Sequence, residues 1–199
     1  VAREGKAPIL TPAQIRKVFK MAKITSHNLR NIGILHASFS LGLRACEIRR
    51  LRICDVLQAD GVQLVDTINL LKTMTKGAKQ RDIPFTNPKA RAAISKYLKE
   101  RFKDRPETKM TDPLFLSQKG GAFSFTGMDK TLKGMYRAAG YEHAKSHTGR
   151  RTCITMNYRL HGDIRAMQIF AGHESITTTQ RYIDHDPERL NKICEKSYF

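Results

Sequence analysis

A chain of 199 residues can enclose one hydrophobic core and at most a small appendage. Its 36 Lys and Arg against 18 Asp and Glu leave a formal net charge of +18, an excess that opposes compaction by self-repulsion and points to a polyanionic partner. These basic residues run from Arg3 to Lys196 through helix-like and strand-like stretches alike, which argues against a polybasic tail or a single membrane-surface helix and favours nucleic acid.

The opening segment, Val1–Leu10, is polar and basic and reads as a linker. Thr11-Pro12-Ala13-Gln14 then starts a helix: threonine caps, proline suits the first helical position, and glutamine three residues on completes a capping box. Leu29, Ile32, Leu35 and Phe39 predict a second helix over about 26–41, stopped by Gly42. A short third helix begins near Arg44. Val62, Leu64, Ile68 and Leu70, then Ile83 and Phe85, alternate on either side of Lys76-Gly77-Ala78-Lys79 and predict an antiparallel hairpin, with Pro84 marking an edge. Helical spacing resumes over about 88–102. After a loop-rich stretch at 104–125, further helices are expected at about 126–139, 147–160, 163–170 and 175–184, with a last one beyond Pro187. The expected fold is mainly α with one small antiparallel β-sheet.

Five segments carry chemistry-bearing residues, and each also has an ordinary structural reading. Arg44 and Glu47 in Gly42-Leu43-Arg44-Ala45-Cys46-Glu47-Ile48 share a helix face. They read either as a surface ion pair or as a phosphate-holding guanidinium oriented by a carboxylate. Lys76 at the hairpin tip, with Lys72 and Lys79 as rivals, is either solvated or placed to protonate a leaving oxygen. His147 and Arg150 either decorate a basic helix end or converge on one anion. His173, after Gly172, is a cap or a proton-handling group, and Tyr182 is core packing or a nucleophile. Cys46, Cys54, Cys153 and Cys194 form no C-x-x-C pair or zinc-ligand spacing and read as reduced thiols of a cytoplasmic protein.

Taken in order, the five segments resemble the tyrosine recombinase, or phage integrase, family. That family carries G-L-R-x-x-E-[IL], a hairpin lysine, H-x-x-R, and G-H followed nine residues later by tyrosine. The match covers about residues 10–185. Two positions depart from the pattern: Gly149 stands where leucine often precedes the second arginine, and Arg151 where histidine often follows it. Glycine inside a helix costs about 1 kcal/mol relative to alanine, which bears on where this helix starts rather than on Arg150.

The resemblance implies a catalytic domain over 11–185 that cleaves and rejoins double-stranded DNA through a 3′-phosphotyrosine on Tyr182. It assigns the general acid to Lys76 and requires no cofactor, metal or ATP. Arg44 and Arg150 then meet the charge developing on the phosphate. His147 or His173 takes part in proton transfer, and Glu47 supports. It further implies a DNA-binding domain before residues 1–10, a bacterial or phage-encoded cytoplasmic protein, accessory DNA-bending proteins, and a homo-tetramer on DNA. Residues 186–199 are expected to form a terminal helix or tail that packs either on its own domain or on a neighbouring subunit. The alternatives are a type IB topoisomerase and a DNA-binding relative without catalysis.

Overall fold

The computed structural model describes residues 7–75, 80–183 and Glu195. The chain divides into two compact units, Val1–Cys153 and Ile154–Phe199.

In the first unit, α1 (Pro12–Lys23) starts as its sequence requires. The Thr11 hydroxyl accepts from Gln14 N, and the Gln14 side chain accepts from Thr11 N at 2.8 Å. Val18 and Ala22, one turn apart, are buried, and α1 packs on α2 (Asn28–Phe39). Ahead of α1, Ala7–Leu10 is held to the start of a later helix: Arg151 donates to the Ala7 carbonyl at 2.7 Å, and Leu10 N donates to the Thr152 hydroxyl at 3.1 Å. Beyond α2 the chain reverses at Gly42, whose φ of 61° is the left-handed conformation that glycine adopts without strain. It then enters the short α3 (Ala45–Ile48).

The hairpin is shorter than its alternating pattern. β1 (Thr67–Leu70) pairs antiparallel with β2 (Arg81–Pro84), Ile68 opposite Ile83 and Leu70 opposite Arg81. Ile68, Leu70 and Ile83 are buried, with Phe85 continuing the inward series. Val62 and Leu64 do not extend β1. They lie on a separate turn in which the Asp60 carboxylate accepts from Val62 N and Gln63 N, Gly61 takes φ 68°, and Gln58 N and Val65 N bond to the Gln63 and Val56 carbonyls. Val62 is consequently exposed. An Asp-Gly pair favours such a turn over a continuous strand.

α4 (Pro88–Asp104) is capped by the Asn87 side chain, which accepts from Ala90 N at 3.0 Å. Its inner face, Ala90, Ile94, Tyr97 and Leu98, packs on α2. Arg101 on the same face is almost fully buried and donates to the Pro113 and Leu114 carbonyls, fastening the following loop. Ser124 caps α5 (Phe125–Ala138), which buries Met128, Leu132, Met135 and Tyr136.

The unit boundary falls within α6 (Thr148–His161). The second unit continues into α7 (Ile164–Ala171), capped by Asp163, and α8 (Ile176–Ile183), and these two helices pack on each other. Gly172, at φ 60°, ends α7 in a left-handed cap. The expected helix beyond Pro187 lies outside the described residues. Among the described residues the architecture is mainly α with one small antiparallel sheet, as predicted from the sequence.

Candidate functional site

Glu47 is the centre of the first unit's polar chemistry. It is the third residue of α3, and its carboxylate bends back to accept from the Arg44 backbone N–H at 2.8 Å and from Arg44 Nη1 at 2.9 Å. The surface ion-pair alternative is therefore excluded, because the Glu47 side chain is 0% exposed.

Two further arginines from distant parts of the chain surround the same carboxylate. Arg81 on β2 grips it with both terminal nitrogens, Nη1 to Oε1 and Nη2 to Oε2, each at 2.8 Å. Arg150, in the first turn of α6, places Nη1 3.9 Å from Oε2 and donates from the same nitrogen to the Gly42 carbonyl at 2.5 Å. Three guanidinium groups thus face one carboxylate, leaving a local excess of positive charge. Burial by itself would push the Glu47 carboxyl up. The hydrogen bonds and charge of Arg81, then the charge of Arg150 and the Arg44 N–H, outweigh it and hold the group at about 2. Arg150 is 1% exposed as a side chain and Arg44 18%, so Arg44 is the more open of the two toward a ligand.

Arg81 escaped the sequence reading. Its signal was its parity: it belongs to the inward series with Ile83 and Phe85, where a cation requires a buried anionic partner. A second missed residue is Asp129 on α5. Burial raises its pKa. A 2.8 Å ion pair with Lys133 and a hydrogen bond from Ser146, with the charges of Lys133 and His147, bring it below the usual carboxylate range. His147 itself is exposed immediately before α6, and its carbonyl accepts from Arg151 N at 2.9 Å.

Gly149 explains the first departure from the family pattern. It sits inside α6, where the backbone approaches α2 and α5 closely and Gly149 N donates to the Tyr136 hydroxyl at 3.2 Å. A Cβ there would lie 2.3 Å from Ser38 Oγ and 3.0 Å from both Ser38 Cβ and Tyr136 Oη. The helix does start at this point, at Thr148, and the glycine is what permits the contact.

In the second unit, His173 follows the Gly172 cap. Gln168 on α7 donates to the His173 and Glu174 carbonyls at 3.0 and 3.1 Å, and His173 Nδ1 lies 2.9 Å from Thr179 Oγ1 on α8. That bond links the histidine's ring rotation to α8, the helix whose last turn carries Tyr182. The Tyr182 side chain lies outside the described residues, as do Lys76 and Lys79. Lys72 is exposed, on a single helical turn after β1. Among the described residues no cluster of His, Cys, Asp and Glu has a metal-binding arrangement, and no helix is long and apolar enough to cross a membrane.

Comparison with known proteins places the chain in a family. A tyrosine recombinase XerC of Pelobacter propionicus is 31% identical over 174 residues, 87% of this chain and 53% of the relative. A tyrosine recombinase XerD of Oceanobacillus iheyensis is 28% identical over 97% of this chain and 63% of the relative. The chain thus spans about half to two-thirds of the length of these relatives. In fold it is similar to XerA recombinase, with a TM-score of 0.77 at 23% identity over 98% of this chain and 68% of that one. It is also similar to the catalytic domain of bacteriophage HP1 integrase, with a TM-score of 0.61 at 16% identity and 96% coverage of both chains. The sequence model of the phage integrase family matches residues 8–189, and the chain belongs to that family.

Proposed function

We propose that this chain is the catalytic part of a site-specific DNA recombinase that breaks and rejoins strands through a 3′-phosphotyrosine at Tyr182, without metal or ATP. The observation that carries this reading is the buried Glu47 carboxylate surrounded by Arg44, Arg81 and Arg150. It fixes guanidinium groups in advance of substrate and keeps net positive charge where a phosphodiester needs it. Transfer at phosphorus increases charge on the non-bridging oxygens, and donors already in place meet that charge without reorganisation.

Each residue then has a defined task. Arg44 and Arg150 hold the scissile phosphate. Tyr182 Oη attacks phosphorus, its proton passing to a histidine or to water. The bond to the DNA 5′ oxygen breaks, and Lys76 protonates that oxygen as it leaves. A free tyrosine has a pKa of about 10, so the positive field favours the phenolate. His173, with its ring tethered to Thr179, and His147 supply hydrogen bonds to the phosphate or accept the tyrosine proton. The phosphotyrosine conserves the energy of the broken bond, and a 5′ hydroxyl of another strand reverses the step.

The partner is double-stranded DNA. Support comes from the net charge of +18 and from similarity in fold to a XerH recombinase bound to palindromic difH substrate, with a TM-score of 0.75. We further propose that a tetramer assembles on DNA through residues 186–199, that accessory DNA-bending proteins assist it, that residues 1–10 lead from a DNA-binding domain, and that the protein acts in the cytoplasm.

The test is covalent capture. Nicked duplexes should yield a protein–DNA adduct on a denaturing gel with the wild-type protein and none with Tyr182→Phe. Equal adduct from the Phe variant would remove Tyr182 from its role. Paired sites should give strand exchange; relaxation of supercoils alone would favour the topoisomerase alternative.

A further inference from the structure

We propose that Arg81 is a positioning residue for strand cleavage, acting through Glu47 on Arg44 and Arg150 without touching DNA. The inference rests on the recombinase reading above. A carboxylate offers about four lone-pair directions. At Glu47 two are taken by the Arg81 fork and two by the Arg44 N–H and Nη1. The fork fixes the carboxylate plane as no single point charge does, so Arg44 meets an acceptor that cannot rotate. Arg81 is itself only 10% exposed, which fits an internal support rather than a DNA contact.

Charge leads to the same conclusion. Glu47 carries one negative charge, and its shortest side-chain contacts are with Arg81 at 2.8 Å. Without Arg81 that charge would be spent on Arg44 and Arg150, drawing Arg44 inward and weakening its attraction for a phosphate. With Arg81 present, the carboxylate anchors Arg44 and attracts Arg150 from 3.9 Å while the cluster keeps its positive excess. Arg81 thus lets one acidic residue orient Arg44 and attract Arg150 without neutralising them.

The experiment compares wild type, Arg81→Met and Arg81→Lys on a site obtained by covalent capture from nicked duplexes with a randomised core. Each protein is assayed on the normal phosphodiester, on a scissile methylphosphonate, and on a 5′-bridging phosphorothiolate. A methylphosphonate lacks the phosphate's negative charge and asks less of the arginines. A thiolate leaves without a proton. Thermal melting and DNA binding are followed in parallel, and Arg81→Lys, which keeps the cation but loses the fork, carries the comparison if Arg81→Met does not fold. We expect the variants to cleave the phosphodiester about 100-fold more slowly than wild type but the methylphosphonate within about tenfold of it. An equal deficit on both substrates would overturn the proposal and leave Arg81 merely structural. Recovery on the phosphorothiolate alone would also overturn it, assigning Arg81 to the hairpin lysine. In both cases wild-type cleavage keeps the recombinase reading standing, whereas a wild type that forms no adduct removes that reading and this one together.

Discussion

Replacing Gly149 by alanine sets two effects against each other. In an unconstrained helix the change stabilises by about 1 kcal/mol. Here the added Cβ would sit 2.3 Å from Ser38 Oγ and 3.0 Å from Ser38 Cβ. The hydroxyl can rotate away, but the Ser38 Cβ is fixed to α2, and Tyr136 Oη, also 3.0 Å away, is buried. α6 must therefore retreat by several tenths of an ångström, lengthening the 3.2 Å bond from Gly149 N to Tyr136. Overpacking of this kind costs about 1–3 kcal/mol, so Gly149→Ala destabilises by up to about 2 kcal/mol once the propensity gain is subtracted. Because Arg150 is the next residue, cleavage should fall further than stability, by up to about 100-fold. Denaturant melts and single-turnover cleavage measure the two effects. Adding Ser38→Gly should restore much of both, a coupling that a double-mutant cycle reads directly. A Gly149→Ala variant that is as stable and as active as wild type would refute the reasoning.

Four further outcomes follow from the structure and the charge. Glu47→Gln leaves three arginines around a neutral amide and should destabilise the fold by about 3–5 kcal/mol, seen as a lower denaturant midpoint. The Glu47 carboxyl is depressed to about 2 from 4.5, so its contribution is complete above about pH 5 and is lost as pH falls through 2, a change on the order of 3 kcal/mol that a pH series of melts should reveal in wild type and not in the Gln variant. His36 is partly buried against Phe19 and bonded to Ser40. Burial, then the charge of Lys89, lowers its pKa to about 4. The folded state therefore resists protonating it, stability drops as pH falls from 6.5 toward 4, and its imidazole signals should not titrate above about pH 5. Binding to DNA should weaken steeply with salt, because dispersed Lys and Arg contacts release counterions; affinity unchanged between about 50 and 200 mM salt would contradict a phosphate-dominated interface.

Local rules reached far into this protein. The α1 capping box, the Asn87-Pro88 start of α4 and the Gly172 stop of α7 each depend on residues within a few positions of one another. The α1 box and the approximate helix spans were readable as sequence, and the Asn87 and Gly172 caps obey the same local rules. The hairpin is shorter than its alternation suggests: the pattern continues through Val62 and Leu64, while the local Asp60-Gly61 turn takes that segment out of the strand. The turn signal was present, and it outweighed the alternation.

By itself the sequence pointed to a polyanionic partner and determined most helix starts and stops and the ordered set Arg44, Lys76, His147, Arg150, His173 and Tyr182 that marks the family. It could not say whether Glu47 is a surface partner or a buried one, because exposure depends on what packs over it. Only the tertiary structure decided that. Arg81 lies 34 residues from Glu47 and Arg150 more than a hundred, and neither spacing belongs to a helix or strand period. The arginines meet because the α2–α3 turn, β2 and the first turn of α6 are packed into one unit, and Gly149 permits the close contact with α2. The physical reason is that hydrogen-bond geometry within a turn is encoded locally, whereas the neutralisation of a buried charge is a property of everything that surrounds it.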